Sequence, residues 1–184
     1  MASITRRTTL AVAGGTLAAA LAPRKPFAAR NLPDLTQVLI PTEPPAAPPD
    51  EAFFGADGTE HRLAEFLGHG MVINLWATWC APCVAEMPSL AQLALALAPF
   101  DIAVLPLSSD KGGADTVRSW FQDHAVSGLP VLTDPKGRLA RAWDARGIPM
   151  TVIIDRKGRD VARLEGAADW SSPAAITLVR KLVG

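Results

Sequence analysis

This sequence contains little cysteine and little histidine, and it has no excess of charge of either sign. Its 184 residues include only two cysteines and three histidines. Two cysteines are too few for a disulfide-dense scaffold or a four-cysteine zinc site. The 18 basic residues equal the 18 acidic residues in number, so the formal net charge is zero. Because no long basic run is present, the chain lacks the positive stripe of a nucleic-acid-binding domain, and nucleic acid is excluded as a partner.

Long apolar runs are also missing after the N-terminus. No apolar stretch there reaches the roughly 18 residues that a membrane span requires, which excludes a polytopic membrane protein. Hydrophobic residues nevertheless make up 49% of the chain. This proportion excludes a disordered acidic tail or a fibrous repeat and predicts a domain with an apolar core.

Residues 1–29 have the composition of an export segment. Arg6 and Arg7 precede an Ala/Leu-rich run from Leu10 to Ala22, and the segment contains no acid. A positive start before such a short apolar run is typical of a signal peptide. The paired arginines resemble a twin-arginine signal, with the general secretory route as the alternative. We therefore expect a periplasmic or otherwise extracytoplasmic protein, either soluble after cleavage or held by an uncleaved N-terminal membrane anchor.

Residues 30–50 are predicted to form a proline-rich linker. Five prolines fall within the nine residues 41–49, a composition that favours extended, solvated polyproline II backbone. Because proline lacks the N–H donor of a strand, the segment is not expected to join a sheet. The compact domain is accordingly predicted to span residues 51–184.

The pattern of this domain alternates between strands and helices. Apolar runs of strand length occur at 71–76, 102–107, 131–132, 151–154 and 161–164, and helical patterns occur at 63–67, 81–97, 116–124, 138–143 and 174–183. Asp57-Gly58 and the segment 155–158 are turn signals. A strand–helix–strand unit followed by a hairpin and a helix predicts an α/β fold, with a central mixed β-sheet flanked by helices on both faces.

The two cysteines lie in the segment Trp79-Cys80-Ala81-Pro82-Cys83, where a predicted buried strand ends and a helix begins. The positive end of the helix stabilises a thiolate at Cys80, and the thiolate is the attacking form in disulfide exchange. Pro82 suits the first turn of a helix, and Cys83 lies one turn on, where it can resolve a mixed disulfide. A disulfide across so short a loop stabilises little by chain entropy. The pair is therefore interpreted as a redox-active disulfide that needs no separate cofactor.

The segment 72–83 and its continuation Cys83-Val84-Ala85-Glu86-Met87-Pro88 resemble the active-site region of TlpA/ResA-like thiol-disulfide oxidoreductases, which have a thioredoxin-like fold. The resemblance extends to Asp57-Gly58, Gly147-Ile148-Pro149, 151–155 and Gly158. It implies a cis peptide bond between Ile148 and Pro149 that faces the cysteines and binds substrate polypeptide. Trp79 is predicted to be partly exposed, and Trp79 and Pro82 to contact substrate beside the nucleophile.

Two departures from the wider family affect the candidate site. Ordinary thioredoxins bury an aspartate where this chain has Asn74. That carboxylate assists proton transfer to the second cysteine, which an amide cannot do. The resemblance makes Glu86, one helical turn after Cys83, the candidate substitute. Met150 stands after Pro149, where members that mature cytochrome c usually have an acidic residue.

The sequence thus predicts an exported enzyme that reduces or exchanges disulfides in other proteins, with cytochrome c or cytochrome oxidase assembly as a candidate setting. The resemblance implies a membrane thiol reductant of the DsbD/CcdA type as a second partner. One alternative is a copper-binding metallochaperone, because soft thiolates select Cu(I), although no histidine stands at ligand spacing from Cys80 and no metal site is predicted. A peroxidase is the other alternative, because peroxide-reducing relatives share this fold. It ranks last, because the reactive cysteine of those relatives lies in a loop without a C-x-x-C.

Overall fold

The computed structural model describes residues 32–184, and the predicted export segment at 1–29 lies outside them. The helices are α1 (Leu35–Val38), α2 (Ala81–Leu97), α3 (Gly113–Asp123), α4 (Arg138–Ala142) and α5 (Pro173–Val183), with 3-10 turns at Leu63–Phe66 and Ala98–Phe100. The strands are β1 (Ile40–Ala46), β2 (Ala52–Phe54), β3 (Glu60–Arg62), β4 (Gly70–Trp76), β5 (Ile102–Ser108), β6 (Leu132–Thr133), β7 (Met150–Ile154) and β8 (Asp160–Glu165).

The strands form one mixed sheet in the order β1-β8-β7-β4-β5-β6-β2-β3. Strand β4 lies at its centre, parallel to β5 and antiparallel to β7. Helix α2 connects β4 to β5, which is the crossover that two neighbouring parallel strands require. The junction between β4 and α2 therefore lies at the end of the central strand of the sheet.

Each face of the sheet has its own core. Val72 and Trp76 on β4 face the core that contains residues of α2, α3 and α5. Met71, Ile73 and Leu75 face the opposite core, which contains residues of α4. Successive side chains of a strand point to opposite faces, so a strand buried on both faces is apolar almost throughout. The predicted mixed sheet with helices on both faces is confirmed.

The proline-rich segment differs from its prediction as a linker. Strand β1 pairs antiparallel with β8, with Ile40 opposite Arg163 and Ala46 opposite Asp160. Proline is tolerated there because β1 is an edge strand, whose outward-facing positions need no N–H donor. Leu35 in α1 is fully buried in the core beneath α5. The domain therefore begins before β1 rather than at residue 51.

Within residues 32–184, one helical stretch, Ala81–Phe100, is long and apolar enough by composition to cross a membrane. Its fully buried side chains include Met87, Leu90 and Leu93, which pack in the core against the sheet. This apolar stretch is therefore the central core helix of the domain.

The substitution Leu35→Ala should destabilise the domain, because it would leave a cavity where a fully buried side chain packs. We expect the free energy of unfolding to fall by about 2–5 kcal/mol. Urea denaturation of the full-length protein measures this change. The matched control is Ile40→Ala in the same segment, where the side chain is 67% exposed and the change should stay within about 0.5 kcal/mol. Equal stability of both variants and the parent would mean that the segment is only a spacer.

Candidate active site

The two cysteines form a disulfide at the start of α2, with their Cα atoms 5.3 Å apart. Cys80 is the N-cap of the helix, and its Sγ accepts a hydrogen bond from the Cys83 backbone N–H at 3.3 Å. Cys80 retains 6% exposure, whereas Cys83 is fully buried. The helix N-terminus is the positive end of the helix dipole. This arrangement stabilises negative charge on the Cys80 sulfur, which is also the more accessible of the two.

A buried aspartate holds the loop that leads from β4 to Cys80. Asp110 accepts hydrogen bonds from the backbone N–H of Thr78 at 2.9 Å and from its hydroxyl at 2.7 Å. A third bond, from the Ser108 hydroxyl at 2.7 Å, anchors the carboxylate to the end of β5. The neighbouring Ser109 backbone N–H donates to the Trp76 carbonyl at 3.0 Å. The loop before Cys80 is thus fixed by the loop that follows β5.

The cis-proline loop lies against the disulfide. The Ile148–Pro149 peptide bond is cis, as the resemblance implies. The Ile148 carbonyl oxygen lies 3.5 Å from Cys80 Sγ, although 68 residues separate the two positions in the chain. Pro149 is buried and Ile148 is half-buried. The backbone of this loop is therefore a neighbour of the sulfur that an incoming substrate would meet.

Two further predicted substrate-contacting residues stand at the surface beside Cys80. Trp79 is 71% exposed, which is the highest value among the large apolar side chains of residues 32–184. Pro82 is exposed in the first turn of α2. An exposed indole next to the disulfide offers apolar contact area.

Glu86 is fully buried beneath this surface. Its Oε2 accepts hydrogen bonds from the Trp170 indole N–H at 2.8 Å and the Ala168 backbone N–H at 3.1 Å. Its Oε1 accepts one from Asn74 Nδ2 at 2.9 Å. Asn74 also donates to Thr151 Oγ1 at 2.9 Å. The carboxylate that the sequence places one turn after Cys83 therefore joins α2 to β4, β7 and the segment before α5.

Burial raises the pKa of Glu86 from its ordinary value of 4.5 to about 7. The hydrogen bonds from Trp170, Asn74 and Ala168 act in the opposite direction, because they stabilise the ionised form. Burial is the larger effect. The result is a carboxyl group that can take up or release a proton near neutral pH.

Within residues 32–184, no group of three or more histidine, cysteine, aspartate or glutamate side chains is placed to hold a metal ion. The histidines bond elsewhere: Nδ1 of His61 lies 2.8 Å from Glu65 and Nδ1 of His69 lies 2.8 Å from Asp101, and His124 pairs with the Trp120 carbonyl at 2.9 Å. The copper-binding alternative thus rests on the two cysteines alone.

The sequence did not single out Asp110 or Trp170 as partners of the site. Asp110 follows β5 and lies 32 residues from Thr78, and Trp170 lies 84 residues from Glu86. No local pattern reports contacts over such separations. The one available signal for Asp110 is that it stands in the loop just after a buried strand parallel to β4, where loops meet at the same edge of the sheet.

The fold and the paired cysteines define a thioredoxin-like protein with a disulfide centre at a helix N-terminus. Residues 45–160 match the AhpC/TSA family, and the chain belongs to this family. It is 27% identical over 111 residues to the thiol-disulfide oxidoreductase ResA of Geobacillus thermodenitrificans, a match that covers 60% of this chain and 63% of the relative. It is 34% identical over 95 residues to the thiol:disulfide interchange protein DsbE homolog of Paracoccus denitrificans, which covers 52% of this chain and 50% of the relative. The chain thus spans less than two thirds of the length of these relatives.

Solved structures show the same architecture. A putative thiol-disulfide oxidoreductase from Bacteroides vulgatus aligns with a TM-score of 0.63 at 28% identity, over 74% of this chain and 94% of that one. A secreted thiol-disulfide isomerase from Corynebacterium glutamicum aligns with a TM-score of 0.65 at 21% identity, over 79% of this chain and 92% of that one, and shows the fold alone. The thioredoxin-like fold and the resemblance to ResA-like proteins are confirmed.

The raised pKa of Glu86 predicts a pH-dependent contribution to stability. The folded protein keeps the proton up to about pH 7, whereas the unfolded chain releases it near 4.5. The contribution of Glu86 is therefore greatest below pH 4.5 and is lost as the pH rises to about 7. The substitution Glu86→Gln removes this dependence, so the variant should gain stability relative to the parent as the pH rises.

Urea denaturation of both proteins between about pH 5 and about pH 8 measures the difference. The matched control is Ser89→Ala, because the Ser89 hydroxyl donates to the backbone carbonyl of Glu86 and accepts from the backbone N–H of Trp170 but does not touch the carboxylate. Its stability difference from the parent should not change with pH. Parallel curves for the parent and Glu86→Gln would contradict the raised pKa.

Proposed function

We propose that this protein is an exported thiol-disulfide oxidoreductase that reduces or exchanges disulfides in extracytoplasmic proteins. The observation that supports this function best is the Cys80–Cys83 disulfide at the N-terminus of α2, with the cis-proline loop 3.5 Å from Cys80 Sγ. The names of the ResA and DsbE-like relatives agree with this chemistry.

Reduction of a substrate begins from the dithiol form. The Cys80 thiolate attacks one sulfur of the substrate disulfide, so that a mixed disulfide forms and one substrate sulfur leaves as a thiolate and takes up a proton. Cys83 then loses its proton and attacks the Cys80 sulfur, which releases the second substrate thiol. Two electrons and two protons pass to the substrate in total, and the protein is left with the Cys80–Cys83 disulfide. Because Cys80 is the N-cap residue and the less buried of the two cysteines, it takes the attacking role.

Glu86 serves as the proton acceptor and donor for this pair in the proposal. A carboxyl with a pKa of about 7 changes its protonation easily near neutral pH. It stands one turn after Cys83, the residue that must lose a proton during resolution. Trp79, Pro82, Ile148 and Pro149 form the surrounding substrate surface.

The compartment and the partners belong to the same proposal. The basic, apolar segment at 1–29 supports export, and one similar solved structure, at 26% identity and a TM-score of 0.56, is named as a pneumococcal exposed lipoprotein thioredoxin. An oxidising compartment requires that the dithiol be regenerated, for which a membrane thiol reductant of the DsbD/CcdA type is the proposed partner. Cytochrome c or cytochrome oxidase assembly is the proposed setting.

The variant Cys83→Ser should accumulate mixed disulfides with a disulfide-containing model protein, because Cys80 can attack but nothing resolves the adduct. The matched control is Cys80→Ser, which should trap few adducts because Cys83 is fully buried. Non-reducing gels and mass spectrometry of the full-length proteins measure the adducts and the linked residue. Adducts formed mainly through Cys83 would overturn the assignment, and the absence of adducts from both variants would overturn the proposed function.

Glu86→Gln should lower the pKa of the reactive thiol, because it removes a buried negative charge near the cysteines and keeps the size of the side chain. It should also change the pH dependence of disulfide exchange. Thiolate absorbance and single-turnover rates of the reduced full-length protein measure both effects, with Ser89→Ala as the control that leaves the carboxylate in place. Titration and rate curves that overlay those of the parent would mean that Glu86 takes no part in the proton transfer.

A further inference from the structure

The side-chain amide of Asn74 is only half satisfied. Its Nδ2 donates to Glu86 Oε1 and to Thr151 Oγ1, both at 2.9 Å, whereas its buried Oδ1 has no partner. Only two other buried side-chain atoms in residues 32–184 have no partner, the indole nitrogens of Trp76 and Trp143, and both are donors. Asn74 Oδ1 is thus the one unpartnered buried side-chain acceptor in the described part of the chain. Native interiors seldom leave such a group unpaired.

The bonds around Glu86 fit an ionised carboxylate, because all three are accepted by its oxygens. A protonated carboxyl carries an O–H that needs an acceptor of its own. The Trp170 indole N–H and the Ala168 backbone N–H can only donate. Asn74 is the one partner of the carboxylate whose side chain also carries an acceptor. The unpaired Oδ1 therefore belongs to the group best placed to accept the Glu86 proton.

We propose that Asn74 is a positioning residue that follows the proton on Glu86 by rotation of its amide. When Glu86 is ionised, Nδ2 faces both Glu86 and Thr151. When Oε1 takes up a proton, the amide turns through half a turn, so that Oδ1 accepts the Glu86 O–H and the Thr151 O–H. The two ends of an amide are nearly equal in shape, so this rotation changes the hydrogen bonds of the side chain but not the volume it fills. The Thr151 hydroxyl serves both states because it can accept or donate.

This rotation links the carboxylate to the strand that leads out of the cis-proline loop. Asn74 on β4 lies opposite Thr151 on β7 in the sheet register, and Thr151 is two residues after Pro149. The inference deepens the proposed function, since it gives the Glu86 proton of that reaction a defined hydrogen-bond partner in both of its states.

Few charged groups from neighbouring elements stand around this carboxylate. Strands β4 and β7 contain no ionisable side chain, and on α2 the nearest ionisable position, Cys83, is held in the disulfide. Asp169, in the segment before α5, accepts bonds from the Ser171 backbone N–H at 2.9 Å and hydroxyl at 2.7 Å. The basic residues of α5 are Arg180 and Lys181, in its last turn. The titration of Glu86 in the oxidised protein thus proceeds without a thiol that titrates beside it.

Nuclear magnetic resonance of the oxidised full-length protein tests the proposal directly. The Asn74 side-chain NH2 signals and the Glu86 carboxyl carbon should titrate with one common midpoint, near pH 7. A nuclear Overhauser effect between the Asn74 NH2 protons and the Thr151 methyl should be present above the midpoint and lost below it. A fixed structural amide would show no such loss.

Two substitutions separate this role from packing. Asn74→Leu removes both the donor and the acceptor at similar size and should raise the Glu86 midpoint by about one pH unit, because the ionised form loses a charge-assisted hydrogen bond. If the leucine variant does not fold, Asn74→Asp serves as the second variant that tests the proposal. It should raise the midpoint further, because two adjacent carboxyls share one proton. Ser89→Ala is the matched control and should leave the midpoint unchanged.

Constant Asn74 signals and a constant Overhauser effect across the Glu86 titration would overturn the proposal, even if the midpoint rises in Asn74→Leu, because Asn74 would then be a fixed donor. An unchanged midpoint in the Asn74 variants would overturn it as well. None of these measurements uses a substrate or the reduced protein. Failure of disulfide exchange would therefore contradict the proposed function and leave this result standing.

Discussion

The burial of the Glu86 carboxylate is the constraint on which the candidate site depends. An ionisable group without exposure to solvent is costly unless hydrogen bonds compensate for the lost water. Those bonds come from Asn74, Ala168 and Trp170, which stand on β4 and in the segment before α5. The carboxylate thus requires α2, the central strand and the C-terminal part of the chain to assemble together. The same burial raises its pKa into the range where proton transfer with a thiol is effective.

The presentation of the disulfide depends on two other loops. The loop after β5 holds Thr78 through Asp110, and the cis-proline loop before β7 brings Ile148 to Cys80. The strands on either side of β4 carry both loops, so the Cys80 sulfur has a defined backbone environment, while Trp79 remains exposed beside it. The scaffold places the less buried of the two sulfurs at a helix N-terminus, which meets the requirement for thiolate formation.

The proline-rich segment shows how tertiary position changes the meaning of a composition. Five prolines predict a solvated spacer, because most strands need the N–H groups that proline lacks. At the edge of a sheet one side of the strand faces solvent, and there the missing donors carry no penalty. In β1, Pro41 pairs with Ala162 of β8 in this position. Prolines on an edge strand also hinder pairing with a second chain, a known protection against aggregation.

The sequence by itself determined the strand–helix order, the C-x-x-C pair at the start of a helix and the carboxylate after it. Alternating burial gives strands and helices a local period, and the C-x-x-C pair with Glu86 occupies two turns of one helix, so these features are visible in short windows. Only the tertiary structure decided that α1 and β1 belong to the domain, that Asp110 holds Thr78, and that Asn74 and Trp170 bond Glu86. The side-chain bonds among these contacts join residues from 12 to 84 positions apart, and the pairing of β1 brings Ile40 opposite Arg163. Their partners are chosen by the packing of the sheet and its helices, which no local periodicity encodes.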